Sequence, residues 1–149
     1  MKVYILSDME GASYVVRREA LDGGATEIVV DDLHGARGGF NLVPEELHEC
    51  AKYVTGGPRT CRMAGIDESF NIAFMIGYHA MAGTKGAVLD HTMATGIIVN
   101  AYINDLKVGE IGIDASIVGY FGVPAALITG CRRAVEEDLP GAIRKLGWF

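Results

Sequence analysis

Two β-prone apolar runs, residues 3–7 and 27–31, fall within the first 31 positions, with a short helix-compatible stretch at 14–21 and Gly23-Gly24 between them. Strand, helix and strand in so short a span form a crossover unit, and a crossover makes the two strands parallel. The crossover is near the minimum length for one. Later segments repeat the alternation. Pro44 suits the first turn of a brief helix at 45–48. A short strand follows at 51–55, broken by Gly56-Gly57-Pro58. A buried strand is expected at 71–77, then a strand at 97–103 that turns at Asn104-Asp105 and returns at 107–109. Apolar periodicity predicts a helix at 110–120, ended by Gly122. A last strand at 124–129 and a charged, exposed helix at 132–139 complete the order. The fold class this implies is α/β: a mostly parallel sheet with flanking helices. With no repeat, low-complexity tract or linker, one domain over 1–149 is expected.

Half the residues are apolar and 21% are charged, which excludes a disordered chain. The formal charge of −6 argues against nucleic acid and anionic membranes as partners. No apolar run is long enough for a membrane span. Cys50, Cys61 and Cys131 are odd in number and form no CxxC, so reduced, mostly buried thiols in a cytoplasmic protein are expected. No secretory leader is expected, because the first apolar run leads straight into Asp8.

Asp8 and Glu10 follow that first strand with one residue between them. Function in α/β domains collects past the carboxyl ends of strands. Two carboxylates confined there repel unless a cation lies close. His34, His79, His91 and Glu110 each occupy a similar position after a strand or hairpin, beside glycine or a short loop. Any one of them alone reads as a polar loop residue. Their repetition at one sheet edge reads as a binuclear metal site, suited to zinc and less to manganese or cobalt.

The motifs that carry these residues are Ser7-Asp-Met-Glu-Gly11, Gly24-Ala-Thr-Glu-Ile-Val-Val-Asp-Asp-Leu-His-Gly35, Gly65-Ile-Asp-Glu-Ser-Phe70, Gly77-Tyr-His-Ala80, Asp90-His-Thr92 and Val108-Gly-Glu-Ile-Gly112. In this order they resemble the binuclear-zinc D-aminopeptidases, self-compartmentalising peptidases linked to dipeptide-transport operons. The resemblance implies two zinc ions per chain, with Asp8 bridging them. Glu10 and His34 would be terminal ligands on one ion, and His79 and Glu110 on the other. His91 would be a catalytic residue that binds no metal. The activity implied is removal of an amino-terminal residue, D-configured, from short peptides or amides, in a ring-like homo-oligomer. Two metal ions activating a shared water suit such hydrolysis. A histidine near neutrality suits proton donation to the leaving amine or steadying of the oxyanion.

The chain departs from the family in several places. Only 23 residues separate Glu10 from His34, where the family has a longer helical insert, and the family continues beyond the last matched segment. Asp31, Leu33 and Asp114 stand where Asn, Ser and Asn are usual. Asp31 and Asp32 read either as outer partners of His34 or as a solvated turn. Arg59 reads as an exposed side chain or as the partner of a substrate carboxylate. His48 is expected at the surface, Tyr78 in a structural role, and Trp148 and Phe149 docked on the body or a neighbour. Two other readings stay open. One is a different two-metal hydrolase acting on an amide or phosphate ester, for which Arg37 and Arg59 are the available basic residues. The other is a shortened, metal-stabilised subunit without catalysis.

Overall fold

Side chains alternate along the first strand, β1 (Lys2–Ser7): Val3 and Ile5 pack into one apolar cluster, Tyr4 and Leu6 into another, and all four are buried. A strand apolar on both faces belongs in the middle of a covered parallel sheet. In the computed structural model, which describes residues 1–8, 23–35 and 38–137, β1 lies there. It pairs in parallel with β2 (Glu27–Asp32) on one side, Val3 opposite Ile28. On the other side it pairs with β4 (Ile72–Tyr78), Val3 opposite Ile72. The short β3 (Lys52–Val54) flanks β2, and β7 (Ala125–Gly130) flanks β4, giving the order β3-β2-β1-β4-β7 with every pairing parallel. A separate antiparallel hairpin joins β5 (Ala101–Ile103) to β6 (Leu106–Val108) through Asn104, whose φ is 54°.

The hairpin leads into helix α1 (Glu110–Tyr120). Its buried residues include Ile111, Asp114, Ala115 and Val118, a stripe at helical spacing that faces the sheet. Met63, Ile66, Phe70 and Ala134 of the short helix α2 (Arg132–Val135) complete that layer. On the opposite face, Leu42, Ala51 and Tyr53 pack against Val3, Ile5, Ile28, Val30 and Ile76.

Most expected elements form near their expected bounds, and the differences have local causes. The strand expected at 97–103 is paired only over β5. Residues 97 and 98 turn back so that both amides bond the Ala94 carbonyl, and Ile97 and Val99 are exposed. A three-residue return strand cannot pair a longer one. The helix expected at 45–48 is a single 3-10 turn, Pro44–Glu46. Cys50 and Cys61 are exposed in loops, contrary to the buried role expected for them, while Cys131 is half-buried against the core. The helix expected at 132–139 stops at Val135, capped by Glu136; residues 138 and 139, the helix expected at 14–21, and Trp148 and Phe149 lie outside the described residues.

Two glycines set the end of β4. Gly77 has φ 80°, and pairing with β7 shifts register between Met75 and Tyr78. The irregularity breaks the alternation, so Tyr78 joins the cluster of Tyr4 and Met75 instead of the opposite face. Gly130 lies opposite Tyr78, and a Cβ there would stand 2.1 Å from the Tyr78 carbonyl oxygen. Backbone must move to admit it. Gly130→Ala is therefore expected to destabilise the fold by about 1–3 kcal/mol, lowering the melting midpoint by roughly 2–4 °C per kcal/mol. Calorimetry checks this, and an unchanged midpoint would show that the strands part at no cost.

Candidate metal centre

The strand order reverses direction between β1 and β4: β2 and β3 lie to one side, β7 to the other. Such a switch point opens a crevice at the carboxyl ends of the strands. Asp8 follows β1 there and His79 follows β4. The Asp8 amide bonds the Ile76 carbonyl at 2.8 Å, which carries the ladder one residue past the strand and fixes where the carboxylate emerges. The Leu33 amide bonds the Ser7 carbonyl at 3.0 Å and brings His34 alongside. Glu110 opens α1, where the amino end of a helix favours an anion. His91 arrives on a loop that returns to β4: its amide bonds the Ala80 carbonyl, and a bridge pairs Ala80 with Asp90. Asp90 and Thr92 close that loop by accepting the Gly83 and Ala82 amides.

The five side chains converge. Asp8 presents one oxygen to His34 Nδ1 at 3.1 Å and the other to His79 Nε2 at 3.4 Å. Glu110 Oε1 lies 3.2 Å from His79 Nε2 and 3.6 Å from His91 Nε2. The His79 and His91 rings stack, centroids 3.8 Å apart and planes 14° from parallel. All five line one cavity of about 460 Å³, together with Leu33, Gly35, Arg62, Met93 and Thr95. Glu10, the remaining sequence-derived ligand, lies outside the described residues.

This donor set suits a divalent cation. His79 Nδ1 lies 3.0 Å from the Ala80 carbonyl, so that nitrogen carries the hydrogen. Its Nε2 then turns a lone pair toward two carboxylates, an arrangement that needs a proton or a metal ion between them. Donors held tetrahedrally on one zinc at about 2.0–2.1 Å stand about 3.3 Å apart, and the separations from His79 Nε2 match. His79, His91 and Glu110 bring donor atoms within 4.8 Å of one another. Without metal, protonation fills the role. Burial opposes the charged imidazole, but Glu110, the Ala80 carbonyl and Asp8 outweigh it and raise His79 to about 9. Burial likewise works against the Glu110 carboxylate, and the bonds from His79 and the Met93 amide, with the charge of Arg62, bring it to about 2.

Several side chains take roles that the sequence left open or missed. Arg59 is neither exposed nor available to a ligand carboxylate. It is half-buried, ion-paired to the fully buried Asp31, and donates to the Gly56 and Asp32 carbonyls at 2.7 Å each. Asp31 also accepts the Tyr4 hydroxyl at 2.7 Å, so it braces the sheet and does not bond His34. Asp32 acts at one remove: it accepts the Asn41 amide and side chain, and Asn41 Nδ2 in turn holds the His34 carbonyl at 2.8 Å. Neither acid is a solvated turn. His48 sits in a local turn, its Nδ1 accepting the Cys50 amide. Tyr78 has the structural role expected of it, donating to Asp114 at 2.6 Å. Arg62 was missed. It touches Glu110 and Asp114, and the one signal for it in the sequence is the need of so many acids for a fixed cation.

The comparisons with known proteins agree with this architecture. A curated D-aminopeptidase of Bacillus subtilis (strain 168) is 40% identical over 129 residues, which make up 86% of this chain and 45% of the relative. The solved structure of the Zn-dependent D-aminopeptidase DppA from Bacillus subtilis, described as a self-compartmentalizing protease, superposes with a TM-score of 0.81 at 34% identity. That match covers 92% of this chain and 58% of DppA, so the chain spans about half the length of these relatives. The D-aminopeptidase family profile matches residues 15–141, most of the sequence, and the chain belongs to that family.

Proposed function

We propose that this chain carries the two-zinc centre of an aminopeptidase that removes an amino-terminal residue, D-configured, from short peptides or amides. The observation that carries this reading is Asp8 standing between His34 on one side and the His79–Glu110 pair on the other, one oxygen toward each. In this reading Asp8 would serve both ions, His34 and Glu10 would hold one, and His79 and Glu110 would hold the other. Two bound zinc ions would supply Lewis acidity and lower the pKa of a nucleophilic water. The chain's own groups do the rest. Asp8 and Glu110 offset the cationic charge in a buried site, and the Ala80 carbonyl fixes the tautomer of His79. His91 reaches the same cavity above His79 and protonates the leaving amine or steadies the oxyanion. Membership of the family and the zinc dependence of DppA support the chemistry, and the self-compartmentalizing description of DppA supports a homo-oligomer here. Among the described residues no helix is long and apolar enough to cross a membrane.

The phosphate-ester alternative loses its best residue, because the Arg59 guanidinium is taken up by Asp31 and by backbone carbonyls. Metal content of protein purified without added metal, with D-alanyl and L-alanyl amide hydrolysis on the same sample, tests the main reading. Two zinc ions per chain and chelator-sensitive D-amide cleavage are expected. Two ions without cleavage would favour another substrate or a non-catalytic subunit, and no metal would end the two-zinc reading.

One observation favours a second role for His91: its Nε2 lies within ligand reach of His79 and Glu110. His91→Ala separates the roles. As proton donor, its loss leaves two zinc ions per chain and lowers turnover by about 10²–10⁴-fold. A fall to one ion per chain would make it a ligand.

A further inference from the structure

Arg62 joins Glu110 to a buried chain of polar contacts that the proposed chemistry does not use. Its Nη2 bonds Glu110 Oε2 at 2.9 Å. Its Nε and Nη2 also grip both oxygens of Asp114, one turn further along α1 and fully buried. Tyr78 closes the chain from the end of β4, its hydroxyl on Asp114 Oδ2. The guanidinium fork is thus held in one plane by Asp114 before it meets Glu110. The consequence for Glu110 is asymmetric. Oε2 is occupied by Arg62, while Oε1 receives the Met93 amide at 2.7 Å and faces His79 and His91.

We propose that Arg62 is a positioning residue which, set by Asp114 and Tyr78, holds Glu110 so that it offers one oxygen to the centre. The inference rests on the two-zinc reading above. It makes the ion held by His79 and Glu110 dependent on Arg62 and leaves the ion on the His34 side independent of it. Outer partners of this kind set ligand orientation, and their loss costs metal affinity about 10–100-fold. Loss of a residue that only offset buried charge would strengthen the binding of a nearby cation, not weaken it.

The test is zinc affinity of the full chain, by competition with a chromophoric chelator, in the parent, R62K and the double variant R62M/D114N. Lysine keeps the charge without the fork. The double variant removes both charges, so no unpaired carboxylate remains at 114, and Asn still accepts the Tyr78 hydroxyl. Melting of the metal-free forms runs alongside, with the visible spectrum after cobalt substitution. The expected result is one ion weakened about 10–100-fold, the other unchanged, and half of the cobalt absorption altered. Both affinities unchanged, or both weakened alike, would overturn the proposal. Failure of the parent itself to bind zinc would remove the two-zinc reading and this inference with it, which sets that failure apart from a defect confined to the variants.

Discussion

An Asp8→Ala variant is expected to bind neither zinc ion and to lose D-amide hydrolysis by at least about a thousandfold, well beyond the ~10–100-fold that follows loss of an outer partner. Asp8 is the one described carboxylate whose two oxygens face different histidines, His34 at 3.1 Å and His79 at 3.4 Å. Removing it opens both halves of the centre at once. The fold should survive, because Asp8 secures the strand end through its backbone amide on the Ile76 carbonyl and not through its side chain. The metal-free variant should therefore show an unchanged far-ultraviolet spectrum. It should also lack the stabilisation expected of zinc in the parent, about 2.7 kcal/mol per site at a hundredfold excess over the dissociation constant. Asp8→Asn keeps the shape but offers a single neutral oxygen, and should hold no more than one ion. Two ions per chain in Asp8→Ala would end the bridging assignment.

The largest stability effect is expected at Arg59, away from the centre. Asp31 is fully buried on β2, between β1 and β3, and relies on the Arg59 ion pair and the Tyr4 hydroxyl. Burial already pushes the Asp31 carboxyl above its ordinary 3.8, against the pull of Tyr4 and Arg59. Arg59→Met strands that carboxylate and should cost about 3–5 kcal/mol at neutral pH. The sign with pH follows from linkage. A carboxyl whose pKa is raised in the fold binds more protons there than in the unfolded chain, so its unfavourable effect grows as pH rises and fades as pH falls toward the unfolded value. The variant should thus approach the parent in acid and fall furthest behind near pH 7, as urea unfolding at several pH values would reveal. Arg59→Met with Asp31→Asn should recover most of the loss. A single variant as stable as the parent would make the ion pair dispensable.

The strands were legible because both faces of the sheet are apolar: Val3 to Leu6, Ile28 to Val30 and the run through Ile76 announce burial without tertiary information. Helix α1 was legible to the residue, since its buried stripe repeats at helical spacing. The strand expected from Ile97 was overcalled for the opposite reason, its apolar residues being solvent-facing and no partner strand being long enough to pair them. Asp8, His34, His79, His91 and Glu110 could be nominated from their places after strands and from the motifs around them. Arg59 could not be assigned correctly, because nothing local announces that its partner is Asp31, 28 positions away.

The sequence by itself determined the parallel α/β class, the residues that follow each strand, and the chemistry such residues favour, because hydrophobic period and turn residues act over a few neighbours. Tertiary structure alone decided the strand order that opens a crevice between β1 and β4, the kink at Gly77 that redirects Tyr78, and the meeting of Arg62 with Glu110 and Asp114 across 48 and 52 positions. Those contacts join segments far apart in the chain, and which buried acid receives which arginine is settled only when packing has excluded water and brought the segments together.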